Sequence, residues 1–413
     1  MTGLGFLALL LVASYLGGFV MGGQKSPPRG LASGAGVVVL GFAAGPSVLG
    51  LVPLDSLELF VPLAQVGVGW LAMDAGLAFG RVLGRPVRPL RAAWGVVAAL
   101  VCAAGVGGAL LLVLTWVPWA RAAELSNRER WVLVLGTGAA LSETTRSVFR
   151  WAAQRYGAKG PLFERLADLA AGDDLVPVAL AAVAVALRPL PSVFGPLPVA
   201  ADAAVQPVIG WLLGAAAALM LGRTFRPNVF RGVLLGVTLI AIGFTVRLGQ
   251  SLLAVPFGLG LGLASVSRYR ARLRRGALSE RFVLLPLLLV AGAMTSTGGL
   301  VPWLAAAAVG ARLLVKLLTG VGLWAAWPEA RPAGPGLGMG LVSSGPLSIA
   351  VGLSFAVAFP GLVGSVVLAA STLSMVVGEL VGPASLRRAL GNAGELHETP
   401  SAPTVAAPVE AAS

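Results

Sequence analysis

Apolar runs of bilayer length follow one another along most of this chain, separated by short clusters of charge, proline and glycine. About 20 helical residues cross a hydrocarbon core of ~30 Å, and proline and glycine clusters mark the turns between such helices. The pattern predicts helices at 2–21, 33–53, 58–80, 92–119, 131–153, 162–187, 205–222, 229–247, 250–267, 282–301, 303–327, 336–359 and 361–386. The first run lacks a basic leader and a small-residue cleavage site, so it reads as a retained helix and not as a signal peptide. Past Arg388 the composition turns polar, and residues 390–413 read as a disordered tail carrying no regulatory domain. The fold class expected is an all-α polytopic membrane protein of about thirteen transmembrane helices.

Laid in order, the predicted helices form two five-helix units, 33–187 and 250–386, of opposite orientation, with 205–222 as a connector. Inverted repeats of this kind are a transporter architecture, with the site at the repeat interface near the midplane. The fourth helix of each unit is interrupted. Ser142-Glu143-Thr144-Thr145 breaks the first, and Ser343-Ser344-Gly345-Pro346 breaks the second, where the proline lacks a backbone donor. Broken helices at membrane depth are tolerated where they line a cavity, and their ends offer partial charges to ions.

Composition agrees with the pattern. The chain is 57% hydrophobic and 11% charged, with mean hydropathy +0.88, against about 25% charged for soluble proteins. A net charge of +13 raises the question of nucleic acid, but the basic residues sit in short loops. Alternate loops and the C-terminal flank carry 21 Lys and Arg, the opposite loops five, and four more lie within helices. This segregation predicts an outside N-terminus and a cytoplasmic C-terminus by the positive-inside rule, without a nucleic-acid partner. One cysteine, Cys102, and one histidine, His397, exclude a disulfide framework and a thiolate or imidazole metal site. No nucleophile–base cluster points to an enzyme.

Candidate chemistry concentrates in a few charges inside apolar spans. Asp173 and Asp174 are adjacent within the run 162–187, where each acid costs about 2.5–3.5 kcal/mol to insert. Glu143 lies in the first break, and Lys316 lies four residues after Arg312 on one helix face. Buried charges pair or titrate. A dehydrated Na⁺ or K⁺ needs oxygens from carboxylates, hydroxyls and freed carbonyls, and a proton competes for the same carboxylate. A site that holds one or the other and opens to one side at a time exchanges them. Structural roles stand beside these. Lys316, Glu143 and Arg312 can serve as ion-pair partners that hold helices together. Asp74 is expected to line a crevice or pair locally, Arg165 and Asp168 to pair three residues apart, and Glu379 to reach the headgroups.

These residues resemble the monovalent cation:proton antiporter family, in particular its second branch of bacterial Na⁺/H⁺ and K⁺/H⁺ exchangers. Gly45-Pro46-Ser47 resembles the first-repeat motif, and Gly76-Leu77 resembles a Gly-Leu-Glu signature with Ala78 at the acid position. Gly138–Ser142 with Thr144-Thr145 is similar to the unwound-helix motif, Gly172-Asp173-Asp174 to the paired-acid motif, and Lys316 to the lysine of electrogenic members. The resemblance implies Asp174 as the carboxylate that binds Na⁺, K⁺ or H⁺, Asp173 as a partner that pairs with Lys316 in one state, and Thr144 and Thr145 as oxygen donors. Ser142, Ser343, Ser344, Gly345 and Pro346 would line the broken helices. It further implies no cofactor beyond the transported ions, a homodimer in a bacterial inner membrane, and elevator-type alternating access. The moving core would be 92–187 with 303–386, sliding on a scaffold of 2–80 with 229–301 within a domain of residues 1–389. Glu143 and Arg146 depart from the family pattern. The Asp-Asp-Lys set favours Na⁺/H⁺ exchange over K⁺/H⁺ exchange, and a sodium-coupled solute symporter or a non-transporting sensor is the alternative on this fold.

Overall fold

The computed structural model describes residues 34–83, 88–121, 124–188, 197–221, 227–266 and 280–396. The helix expected at 2–21, the loop from Arg268 to Arg275, His397 and most of the expected tail lie outside them. The described residues are helical, with no strand among them. In chain order the helices are α1 (Gly34–Ala44), α2 (Leu54–Glu58), α3 (Val61–Leu83), α4 (Arg88–Trp116), α5 (Pro118–Arg121), α6 (Asn127–Ser142), α7 (Ser147–Tyr156), α8 (Pro161–Gly172) and α9 (Leu175–Ala186). There follow α10 (Val199–Leu221), α11 (Pro227–Arg247), α12 (Ala254–Val266), α13 (Glu280–Met294), α14 (Val301–Ala326), α15 (Leu337–Gly340), α16 (Pro346–Ala358) and α17 (Leu362–Asn392). Six spans among the described residues are long and apolar enough to cross a membrane, the stretch through α8 and α9 counted as one of them.

Local chemistry explains where the helices depart from the apolar runs. The run 33–53 stops being helical at Ala44, because Pro46 restricts Gly45 and lacks a donor of its own. Helix α13 ends at Met294, before Thr295-Ser296-Thr297-Gly298-Gly299, whose last residue has φ +56°. The run 162–187 is two helices and not one, and the interruption falls on Asp173 and Asp174. Pro177 accounts for it: without an N–H it cannot bond the Asp173 carbonyl, which accepts instead from the Val176 amide at 3.3 Å. At the other end of the described residues, α17 runs through Asn392 and Glu395 is buried, so residues 390–396 are not part of a disordered tail.

Packing follows the two-unit plan. If α1, α3, α4, α6–α7 and α8–α9 correspond in order to α12, α13, α14, α15–α16 and α17, a two-fold should map each contact of one unit onto the other. It does so repeatedly: α1 packs on α13 and α3 on α12, α4 on α8 and α14 on α17, α6 on α9 and α16 on α17, and α4 crosses α14 just as α6 crosses α16. Small residues permit the closest approaches, as expected where lipid supplies no hydrophobic drive between helices. A Cβ at Gly76 would overlap the Phe257 carbonyl where α3 passes α12, and one at Gly172 would overlap the Ala92 carbonyl on α4. The Gly76-Leu77 motif therefore serves packing in this chain, and Gly172 presses the residues before the aspartate pair onto α4.

Candidate ion site at the crossing of two broken helices

Both expected breaks are present. The chain leaves α6 at Glu143, whose backbone is extended (φ −63°, ψ 149°), and resumes as α7 at Ser147. It leaves the short α15 and resumes as α16 at Pro346, which sits in the first turn where a missing donor is harmless. The two breaks are bonded to each other, the Thr145 amide donating to the Ser343 carbonyl at 3.3 Å.

Helix ends leave backbone groups without intrahelical partners, and charged side chains satisfy them here with the signs that helix dipoles favour. The Ser348 amide, in the first turn of α16, donates to Glu143 Oε2 at 2.5 Å. Glu143 thus leaves one broken helix and caps the opposing one. At the carbonyl ends stands Arg312, fully buried on α14. Its Nε donates to Leu141 O at 2.9 Å, its Nη1 to Val342 O at 2.6 Å, and its Nη2 to Glu143 O at 3.1 Å and Ser343 O at 3.2 Å. Arg312 therefore engages the Glu143 carbonyl and not its carboxylate, and a single guanidinium ties both breaks together.

One turn further along α14, the buried Lys316 Nζ donates to Ser142 O at 2.5 Å and to Thr144 Oγ1 at 2.8 Å. Thr144 then donates its own N–H to Asp173 Oδ2 at 2.7 Å. The direct Lys316–Asp173 pairing expected for one state is absent in this conformation, and Thr144 stands between the two charges. Asp173 Oδ1 is buried without a hydrogen-bond partner. Asp174 pairs with Arg146, whose Nη2 donates to Asp174 Oδ2; the same guanidinium donates to Ala170 O at 2.8 Å through Nε and to Ala171 O at 3.2 Å through Nη2.

Of the residues expected to line the site, Glu143, Thr144, Asp173, Asp174, Arg312 and Lys316 lie together, buried. Thr145 is adjacent, but its hydroxyl bonds Ser147 Oγ at 2.8 Å and accepts from the Ser147 amide, at the start of α7. Ser142 contributes its carbonyl, while its hydroxyl donates back to Ala139 O at 3.0 Å. The Ser343 and Ser344 hydroxyls, like that of Ser348, are buried without partners beside the second break. Gly345 lies against the first, where a Cβ would collide with Glu143 and Thr145.

Sequence reasoning missed Arg146 as a member of the site. Its sequence signals were a cation directly after a predicted break and a departure from the pattern of the family the chain resembles. Asp74 on α3 also acts electrostatically on Asp174, which places it near the cluster. Arg165 and Asp168 pair at 3.8 Å as expected, within a network that also takes in Arg91 and Glu329. Glu379 does not simply reach the headgroups: its Oε2 accepts from the Ala35 amide at 2.8 Å, at the start of α1.

No family model matches the sequence, and no curated protein does. Among solved structures the chain resembles the sodium proton antiporter MjNhaP1 from Methanocaldococcus jannaschii at pH 8, with a TM-score of 0.65. Identity is 15%, over 96% of this chain and 99% of that one. At that identity the likeness shows the fold: this is a multi-pass helical membrane protein with the architecture of a sodium/proton antiporter.

Proposed function

We propose that the protein is a secondary antiporter exchanging a monovalent cation, Na⁺ first, for protons at Asp173 and Asp174. The observation that carries this reading is the buried Asp173 Oδ1, a carboxylate oxygen without a partner at the crossing of two broken helices. Leaving such an oxygen unpaired costs on the order of 1–3 kcal/mol or more. A bound cation or a bound proton each removes that cost, and the two exclude one another.

Thr144 links the Lys316 ammonium to Asp173, so a cation arriving at Asp173 acts on the ammonium through one residue. In the same reading α4, α6–α9 and α14–α17 form the moving core of an elevator. The scaffold is α1, α3 and α11–α13, the assembly a homodimer in a bacterial inner membrane, and the N-terminus lies outside.

Purified protein in vesicles tests the reading. An imposed pH gradient should collapse when Na⁺, K⁺ or Li⁺ is added, and the most effective ion identifies the cargo. Sodium-driven uptake of an organic solute without proton movement would favour the symporter instead.

A further inference from the structure

Two cations stand close to the aspartate pair, and their chemistry differs. Lys316 is fully buried and bonded to a carbonyl and a hydroxyl, without an ion pair to either aspartate. Arg146 holds Asp174 directly, and its side chain keeps 28% of its surface exposed against 11% for Asp174. A guanidinium does not deprotonate in a protein. It therefore cannot leave the carboxylate by losing its charge. It leaves only by swinging away, and the exposed flank gives it somewhere to go. Its other bonds run to the carbonyls of Ala170 and Ala171, at the end of α8, so its reach is set by the helix that leads into the aspartates.

Resting on the antiport reading, we propose that Arg146 is a tethered competitor: it neutralises Asp174 when the site is empty and must be displaced by the transported cation or by a proton. An empty carboxylate then never faces the membrane interior uncompensated, and the apparent cation affinity is set by a contest with a permanent internal cation. The charged groups acting on Asp174 are Arg146 itself, Asp173 beside it, Asp74 on α3 and Glu143 across the crossing, whereas Lys316 acts on Asp173. Of these, Arg146 alone forms an ion pair with it among the described residues.

The test is the half-saturating Na⁺ concentration for proton flux in proteoliposomes, for wild type, Arg146→Gln and Arg146→Lys. Loss of a partly exposed ion pair is worth up to ~1 kcal/mol, about fivefold. Arg146→Gln should lower the half-saturating concentration by about that factor and move the acid limb of the pH profile to higher pH, since protons too lose their competitor. Arg146→Lys should stay near wild type while its ammonium is charged and fall toward the Arg146→Gln value where it deprotonates, and added guanidinium chloride should raise the Arg146→Gln value competitively while leaving wild type unmoved. A half-saturating concentration in Arg146→Gln equal to or above wild type overturns the proposal and leaves Arg146 as a brace for the end of α8. If Arg146→Gln does not yield monodisperse protein, Arg146→His replaces it. Above the ordinary imidazole range it should show the same lowered value, and an unchanged value again overturns the proposal. Wild type that moves no protons with Na⁺, K⁺ or Li⁺ overturns the antiport reading, and this inference with it; active wild type with an unmoved Arg146→Gln overturns this inference alone.

Discussion

The Glu143 carboxylate, released where α6 ends, accepts the Ser348 amide at 2.5 Å at the start of α16. One broken helix therefore caps the other across the crossing, and the pair is coupled in both register and charge. An acid at this break has an assignable job here: it meets the orphaned first-turn donors of the opposing half-helix, where negative charge is favoured.

That job separates two substitutions. Glu143→Ala removes the acceptor and should cost about 1–2 kcal/mol, as cap deletions do. Glu143→Gln keeps an oxygen acceptor and should melt closer to wild type in detergent, but it raises the half-saturating cation concentration, because one negative charge leaves the cluster. Equal losses of melting temperature in both variants would show that the charge and not the acceptor holds α16.

Arg312 and Lys316 lie one turn apart but should respond differently. Arg312→Met strands carbonyls of both breaks in an apolar interior, at about 1–3 kcal/mol for each unsatisfied group. It should yield little folded protein by size-exclusion chromatography. Lys316→Ala loses two bonds and should fold, with a shifted pH profile or altered charge moved per cycle. A charge-transfer recording identical to wild type would count against a role for Lys316 in the exchange.

Near the C-terminus, Glu395 accepts the Leu162 amide at 2.7 Å and the Phe163 amide at 2.8 Å, so it caps α8, the helix that leads into the aspartate pair. Glu395→Ala should destabilise by about 1 kcal/mol or more and expose the C-terminal segment to protease. Glu395→Gln keeps one acceptor oxygen and turns a donor toward the other amide, so it should recover only part of both effects. Resistance to protease unchanged in the alanine variant would contradict the cap.

A pH-dependent contribution sits at the exposed start of α6, ahead of the apolar run that begins at Trp131. Ser126 and Glu129 form a capping box, the Ser126 amide and hydroxyl both donating to Glu129 Oε2. These bonds lower the Glu129 pKa from its ordinary value of 4.5. A lowered folded pKa means stabilisation that is present above about pH 4.5 and lost as pH falls through the folded value. Ser126→Ala should therefore cost up to ~1 kcal/mol at neutral pH and less at pH below 4, read from paired melting curves. A cost that does not shrink in acid would place it outside the carboxylate.

Much of this site is legible along the chain, for reasons local to it. Ser343-Ser344-Gly345-Pro346 breaks a helix by its own composition, and intramembrane Asp, Glu, Arg and Lys are conspicuous because their insertion is costly. What escaped is set by distance or by a single backbone donor. The interruption at Asp173-Asp174 needed Pro177 to be read as four residues past the carbonyl it disables. Arg146 meets Asp174 across 28 positions, Glu379 meets Ala35 across 344, and no periodicity reports such pairs. Thr144 as the link between Lys316 and Asp173 follows from the extended backbone of the break, which turns its amide and its hydroxyl to different partners.

In the antiport reading, exchange takes place at the aspartate pair. The most direct measurement is proton flux in proteoliposomes on adding Na⁺, K⁺ or Li⁺ to wild type and to Asp174→Asn, both confirmed folded. Cation-dependent flux is expected in wild type and none above empty vesicles in Asp174→Asn. Full flux in Asp174→Asn would contradict that reading.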